Sequence, residues 1–486
     1  MADSASRKLK ILFAASEVKP FSKSGGLGDV AGSLPRALKA AGAEVAVISP
    51  KYGTIPQEYA DQMKHVADFY VPLSWRSVYC GVEKLTFQGL DFYFIDNEAY
   101  FKRDSLYGYF DDGERFAFFS KAICESISKV EELECDVLHC NDWQTAMATV
   151  FLREFYMQIP ACAHVKTIFS VHNVLFQGQY SDKVLNDILG LADVPSARDQ
   201  LYCGPQAINY MRGALLYSDL ISTVSPTYAN ELQMPFYGEG MDGIFRRRAG
   251  SLSGILNGID TQEWNPATDE FLPANYSAED LTNKAECKRA LQEEFGLRQD
   301  PERPLVCMVG RLTKQKGLDL VSAIASSLID GNTQLVILGT GDAEYENAFR
   351  ALENDHKGEV CAYIAYDEAL SHQIYAGCDA FLVPSQFEPC GLTQLISMRY
   401  GSAPIVRETG GLKDTVEPYN MYENTGNGFT FDRYESGLLY DAINRAKTLF
   451  FEDREDWDKM VIRDMEKDVS WAKSAEQYRQ LYLDLT

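Results

Sequence analysis

The sequence predicts an α/β fold of two Rossmann-like domains, each a parallel sheet covered by crossover helices. Short apolar runs alternate with helix-period segments along nearly the whole chain, the pattern left by strand–helix–strand crossovers. Many runs are apolar on successive residues, as strands covered on both faces require. In each half a glycine-bearing loop joins an apolar run to a helical pattern: KSGGLGDV at 23–30 and FEPCGLTQ at 387–394. Such loops offer freed backbone amides and a helix N-terminus to an anion.

The expected strands of the first half are KILFAAS (10–16), EVAVIS (44–49), DFYFID (91–96), CDVLH (135–139), KTIFSV (166–171) and DLISTVS (219–225). The second half offers PLVCMVG (304–310), TQLVILG (333–339), VCAYIA (360–365), AFLVP (380–384) and APIVR (403–407). Helical period lies between most of them, as in VAGSLPRALKAAG (30–42) and ESISKVEEL (125–133). The halves divide near SGILNGIDTQEWNPATD (253–269), a turn signal followed by an Asn-, Pro- and Asp-rich stretch without periodicity. The expected domains are therefore 1–257 and 263–467. The remaining segment, 468–486, reads as an amphipathic helix with apolar contacts at Ala472, Tyr478, Leu481 and Leu483. No internal repeat or low-complexity tract interrupts the pattern.

A chain of 486 residues is long for one core. Its net charge of −24, from 46 basic and 70 acidic residues, argues against nucleic acid and against an anionic membrane as partners. An anionic substrate would have to be met by basic residues clustered in loops, which gives such clusters weight. The 11 cysteines are odd in number and lack framework spacing, the usage of a reducing cytosol. The apolar run after MADSASRKLK is too short for a secretory signal, and no stretch approaches the ~20 residues of a membrane span. The expected location is cytoplasmic.

Ligands of open parallel sheets bind beyond the carboxyl ends of the strands. The polar clusters of this sequence fall at such ends: Lys23, Asn141–Asp142, His172–Asn173, Arg311, Gly339–Asp342, Glu388 and Glu408–Gly411. If the two sheets turn these edges toward each other, one interdomain cleft gathers them all. Lys23 with Gly25, Gly26, Gly28 and Asp29 can cradle a phosphate, or form a tight turn with a solvated lysine. The spacing is not GxGxxG, which weakens a dinucleotide reading. Arg311 and Lys316 in GRLTKQKG can bracket a diphosphate or stand as a solvated basic loop. Glu388 can bind sugar hydroxyls while the amides of Gly391, Leu392 and Thr393 face a phosphate, or it can cap the helix that follows. His172, beside Asn173 and near Phe176, is either structural or catalytic. The run His139 to Asp142 with Cys135 is a mixed set at irregular spacing, poor for zinc. Aromatic residues make up 12% of the chain, mostly for core packing, with some free to stack on sugar rings.

These motifs closely resemble the bacterial glycogen synthase and plant starch synthase family, glycosyltransferases of the GT-B fold. The resemblance spans the chain through KSGGLGDV, RDSLYGYFDDGERFAFF, NDW, SVHN, LNGID with EWNP, GRLTKQKGLDL, LGTGD, VPSQFEPCGLTQL and RETGGLKDTV. It implies transfer of glucose from ADP-glucose to the nonreducing end of an α-1,4-glucan with retention, without a cofactor. Lys23 matches the family's sugar-nucleotide lysine, Arg311 and Lys316 its diphosphate-stabilising pair, Glu388 its sugar-orienting catalytic carboxylate and His172 the histidine near the donor glucose. Asp29, Asp142 and Asn257 fall in motifs of the family's cleft. The resemblance also implies a C-terminal helix crossing back onto the first domain, and a chain more like the bacterial than the plastid enzymes. Three departures stand out. Asn141-Asp142-Trp143-Gln144 replaces His-Asp-Trp-His, Ser24 replaces the commoner Thr, and Ile396 occupies the place where many GT-B transferases carry a ribose-binding Glu. Two rival readings are a GT-B phosphorylase, which is much longer and needs pyridoxal phosphate, and a catalytically silent glucan-binding protein.

Overall fold

In the computed structural model, which describes residues 8–329 and 332–486, the chain divides into two units. One contains the residues up to Asn257 together with Trp471–Thr486, and the other is Gly258–Ser470.

The first unit is built on a nine-stranded sheet. Its parallel strands are Lys10–Ala14, Glu44–Pro50, Leu90–Asp96, Val137–Asn141, Lys166–Val171, Leu220–Thr223 and Leu252–Gly254. In space they run third, second, first, fourth, fifth, sixth, seventh in chain order, the doubly wound order that reverses beside the first strand. Burial explains their composition: Ile11, Leu12, Phe13 and Ala14 are all inaccessible, as strands covered by helices on both faces must be.

The sheet is not purely parallel. An antiparallel hairpin, Lys64–Leu73 with Arg76–Phe87, extends it beyond Leu90–Asp96. These strands are absent from the sequence-based expectation because they alternate: Phe69, Val71 and Leu73 are buried while Asp68, Tyr70 and Pro72 face water. The turn from Phe87 to Leu90 puts both Gln88 and Gly89 at positive φ (+47° and +76°). Two such residues match the twist of the flanking strands.

The C-terminal helix, Ala472–Leu485, packs on helix Gly26–Ala40 of the first unit. Its buried face is Ser474, Ala475, Tyr478 and Tyr482. This corrects the expected contacts: Ala472 and Leu483 are exposed. The true stripe, Trp471, Ala475, Tyr478, Tyr482, follows i, i+4, i+7 and i+11, which one helical face requires. Tyr482 also bonds to buried His139, whose Nδ1 lies 2.7 Å from the tyrosine hydroxyl and whose Nε2 lies 2.6 Å from Ser170 Oγ. Burial holds the His139 pKa down at about 3. Both ring nitrogens thus belong to a structural relay, not to a metal.

The second unit is a six-stranded, all-parallel sheet of Leu305–Val309, Gln334–Leu338, Val360–Tyr363, Ala380–Val383, Ala403–Arg407 and Phe429–Phe431. Its spatial order is again third, second, first, fourth, fifth, sixth. Every residue of Gln334–Leu338, Ala380–Val383 and Ala403–Arg407 is buried. Ile396 joins this core, so no polar group stands at that position. Ten cysteines are buried, Cys203 is exposed, and all eleven are free thiols. Among the described residues no helix is long and apolar enough to cross a membrane.

Candidate active site

In the first unit, strands Lys10–Ala14, Val137–Asn141 and Lys166–Val171 are neighbours, so the loops at their carboxyl ends come together. The first loop folds around Glu17, which is 4% exposed. Its carboxylate accepts hydrogen bonds from the amides of Ser24 and Gly25, the latter at 3.2 Å. Burial raises the Glu17 pKa against the lowering effect of those amides. Lys23 follows, its ammonium 2.8 Å from Asp29 Oδ1. Gly25 caps helix Gly26–Ala40 with no side-chain acceptor, so no capping side chain occupies the amides of its first turn.

Asp142 stands immediately after the second strand at φ +57°, ψ 178°. That conformation is essentially confined to glycine and costs a residue with a side chain about 1–3 kcal/mol. Its Oδ1 accepts from the His172 amide at 2.8 Å, and the Asn173 amide bonds it as well. Burial nevertheless pushes its pKa up to about 7, against those two bonds. His172 Nε2 lies 2.9 Å from Asn141 Oδ1. Asn141 Nδ2 donates to Ala14 O at 3.0 Å and His139 O at 3.3 Å, which fixes the amide so that its oxygen faces the imidazole. His172 therefore carries its proton on Nε2, and Nδ1 keeps a lone pair without a partner among the described residues. Burial lowers its pKa to about 4, so the ring is neutral near pH 7. Asn257 lies half-buried in the irregular segment after Leu252–Gly254.

In the second unit the first strand, Leu305–Val309, sits between Gln334–Leu338 and Ala380–Val383, where the strand order reverses. Arg311 opens the loop after it, exposed and without a side-chain partner among the described residues. Lys316 lies in a short helical turn, Lys314–Lys316. Its ammonium is 2.6 Å from Glu388 Oε2, and Ser385 Oγ donates to the same oxygen at 2.9 Å. Glu388 is 7% exposed. Two glycines permit this closeness. A Cβ on Gly317 (φ +81°) would stand 2.2 Å from Pro384 O, and one on Gly410 (φ +46°) would stand 1.9 Å from Glu388 O. Gly391 turns at φ +75° and Leu392 precedes the short helix Thr393–Arg399, with no side chain capping it. Cys390 is buried.

The structure thus joins Lys23 to Asp29, Asp142 to His172 and Lys316 to Glu388. Glu408 belongs to the scaffold, accepting from Thr430 Oγ1 at 2.7 Å. Sequence reasoning missed Glu17, Asn141's hold on His172, and Ser385. Glu17 left a signal, an acid interrupting an apolar strand end, whereas Ser385 left none. Among the described residues no group of three or more His, Cys, Asp or Glu is placed to hold a metal ion.

Residues 10–247 match the family described as starch synthase catalytic domain, and residues 291–463 match glycosyl transferases group 1. A glycogen synthase of Anoxybacillus flavithermus is 46% identical over 98% of both chains. One of Bacillus cereus is 48% identical over 98% of this chain and all of its own. The catalytic domain of starch synthase IV from Arabidopsis thaliana, bound to ADP and acarbose, superposes with a TM-score of 0.90 at 35% identity, covering 98% of this chain and 99% of that one.

Proposed function

The chain belongs to the glycogen and starch synthase family of GT-B glycosyltransferases, and from that premise we infer that it is a glycogen synthase. It transfers glucose from ADP-glucose to the nonreducing end of an α-1,4-glucan with retention of configuration. ADP as the nucleotude half of the donor is supported by the ADP bound to the plant relative. The observation that carries the reading is the Lys316–Glu388 pair, on loops at the strand-order reversal of the second sheet, with Arg311 exposed in the same loop as Lys316.

In this proposal Arg311 and Lys316 hold the diphosphate and stabilise the charge that builds on it as it departs. Glu388, braced by Lys316 and Ser385, orients the donor glucose through its hydroxyls. The amides of Gly391, Leu392 and Thr393 add donors to phosphate. Within the first unit, Lys23, the first-turn amides following Gly25 and Gly26, and Asp29 offer contacts to an anionic group, with Asp142 and Asn257 contributing polar contacts. Neutral His172 offers Nδ1 to a glucose hydroxyl. The bond between C1 and the diphosphate oxygen breaks with its electron pair going to ADP. The acceptor hydroxyl oxygen bonds C1 on the same face, and its proton passes to a diphosphate oxygen. A catalytically silent glucan binder would have no need of the paired Lys316 and Glu388.

The test is transfer of radiolabel from ADP-glucose into glycogen, with UDP-glucose run alongside. Wild type should transfer from ADP-glucose, and Glu388→Gln should lose at least about a hundredfold in kcat while its melting temperature holds. Equal rates in the two proteins would remove Glu388 from the reaction.

A further inference from the structure

Lys316 and Glu388 meet from separate loops. Arg407, the last residue of strand Ala403–Arg407, is 6% exposed, and its guanidinium makes no ion pair among the described residues. It is spent instead on backbone: Nε donates to Ser385 O at 2.8 Å, Nη2 to Gln386 O, and Nη1 to Asp432 O at 3.3 Å. Ser385 and Gln386 begin the loop that presents Glu388 and Ser385 Oγ. The Gln386 amide in turn donates to Gln315 O at 2.8 Å, next to Lys316. Tyr434, whose ring lies 5.9 Å from the Arg407 guanidinium, donates to Lys314 O at 3.0 Å and bonds Asp319.

We propose that Arg407, with Tyr434 as its support, is a positioning residue that fixes the spacing of Lys316 and Glu388; the inference rests on the glucosyl-transfer reading above. Burying an always-charged guanidinium against carbonyls is costly and is justified where a planar fork must hold several acceptors in one geometry. A lysine keeps the charge but cannot span the three carbonyls. Displacing a catalytic pair by about 1 Å can cost about a hundredfold in rate.

The experiment is Arg407→Lys, alone and combined with Lys316→Ala, assayed by radiolabel transfer with kcat and KM separated. The proposal expects kcat to fall about 10- to 100-fold with donor KM within about threefold. It also expects most of that loss to vanish in the Lys316→Ala background, because the two residues act through one unit. An unchanged kcat, or losses that simply multiply, overturns it. If Arg407→Lys does not fold, Tyr434→Phe decides by the same measurements: a lower kcat at unchanged KM supports the brace, and wild-type kinetics overturn it. Should wild type itself transfer no glucose, the reading of function fails instead. Amide exchange then judges the brace: faster exchange confined to 312–317 and 385–391 in Arg407→Lys, or in Tyr434→Phe, sustains it, and unchanged exchange overturns it.

Discussion

The strand-end loop of Lys316 and that of Asp142 treat charge in opposite ways. In the second unit Lys316 meets Glu388 at 2.6 Å, and Arg311, five residues earlier in the same loop, stands exposed. A cation and a carboxylate are paired there. In the first unit Lys23 and Asp29 are likewise paired, at 2.8 Å, but at Asp142 and His172 burial works against charge: His172 is held neutral with its pKa near 4, and Asp142 titrates near 7 despite two backbone donors. Under the proposed reading the Lys316 loop meets a diphosphate, and the neutral ring of His172 meets a glucose hydroxyl. The same doubly wound topology produces both, so the chemistry resides in the loops and not in the sheet.

Lys316→Ala should break this contrast most severely. Turnover should fall about 10²- to 10³-fold, with the apparent affinity for glycogen nearly unchanged; an undiminished rate would discredit the assigned role. On the first unit's side, His172→Ala removes one neutral acceptor and should cost closer to tenfold, since such a bond is worth about 0.5–1.5 kcal/mol. A loss as deep as that of Lys316→Ala would mean that the two sites are not unequal. Gly410→Ala tests the second site's construction, because a Cβ there meets Glu388 O at 1.9 Å. It should lower stability by about 1–3 kcal/mol in urea unfolding and reduce activity; wild-type behaviour would show the contact to be slack.

The smallest effects are pH slopes of stability, and their signs sharpen the comparison. Asp142 has a folded pKa of about 7 against an ordinary 3.8. Between those values the folded state binds more protons than the unfolded, so its contribution to stability falls as pH rises from about 4 to 7. Asp142→Asn should therefore gain stability relative to wild type across that window. For His172 the folded pKa is about 4 against 6.5. There the unfolded state binds more protons, so stability rises with pH over that range and is lost on acidification. His172→Asn should flatten that rise. Urea unfolding of the three proteins at pH 4.5, 5.5 and 7.5 reads both slopes, and slopes of like sign would contradict the assignment.

What could be read in advance varied with the physics of each element. Strands such as Gln334–Leu338 were legible because burial on both faces demands unbroken apolar runs. The hairpin at 64–87 was not, since one wet face breaks its runs into alternation. Lys23, Arg311, Lys316 and Glu388 were legible as charged residues at strand ends beside glycine. Arg407 reads in sequence as one more polar residue closing a strand. Its importance lies in three carbonyls that the chain brings to it from 385, 386 and 432. The C-terminal helix was legible as amphipathic, yet its buried face was misjudged, because a heptad-like stripe depends on which side meets helix Gly26–Ala40 and His139.

By itself, then, the order of residues determined the two α/β halves, their strand-end loops and the family, since periodicity and glycine placement are local demands of backbone geometry. Which side chains touch was decided by tertiary structure alone. Lys316 and Glu388 are brought to 2.6 Å by loops that meet where two distant strands lie side by side, and the pKa of Asp142 rises through surroundings that folding supplies. Contact and desolvation are properties of the packed interior, which a linear sequence does not contain.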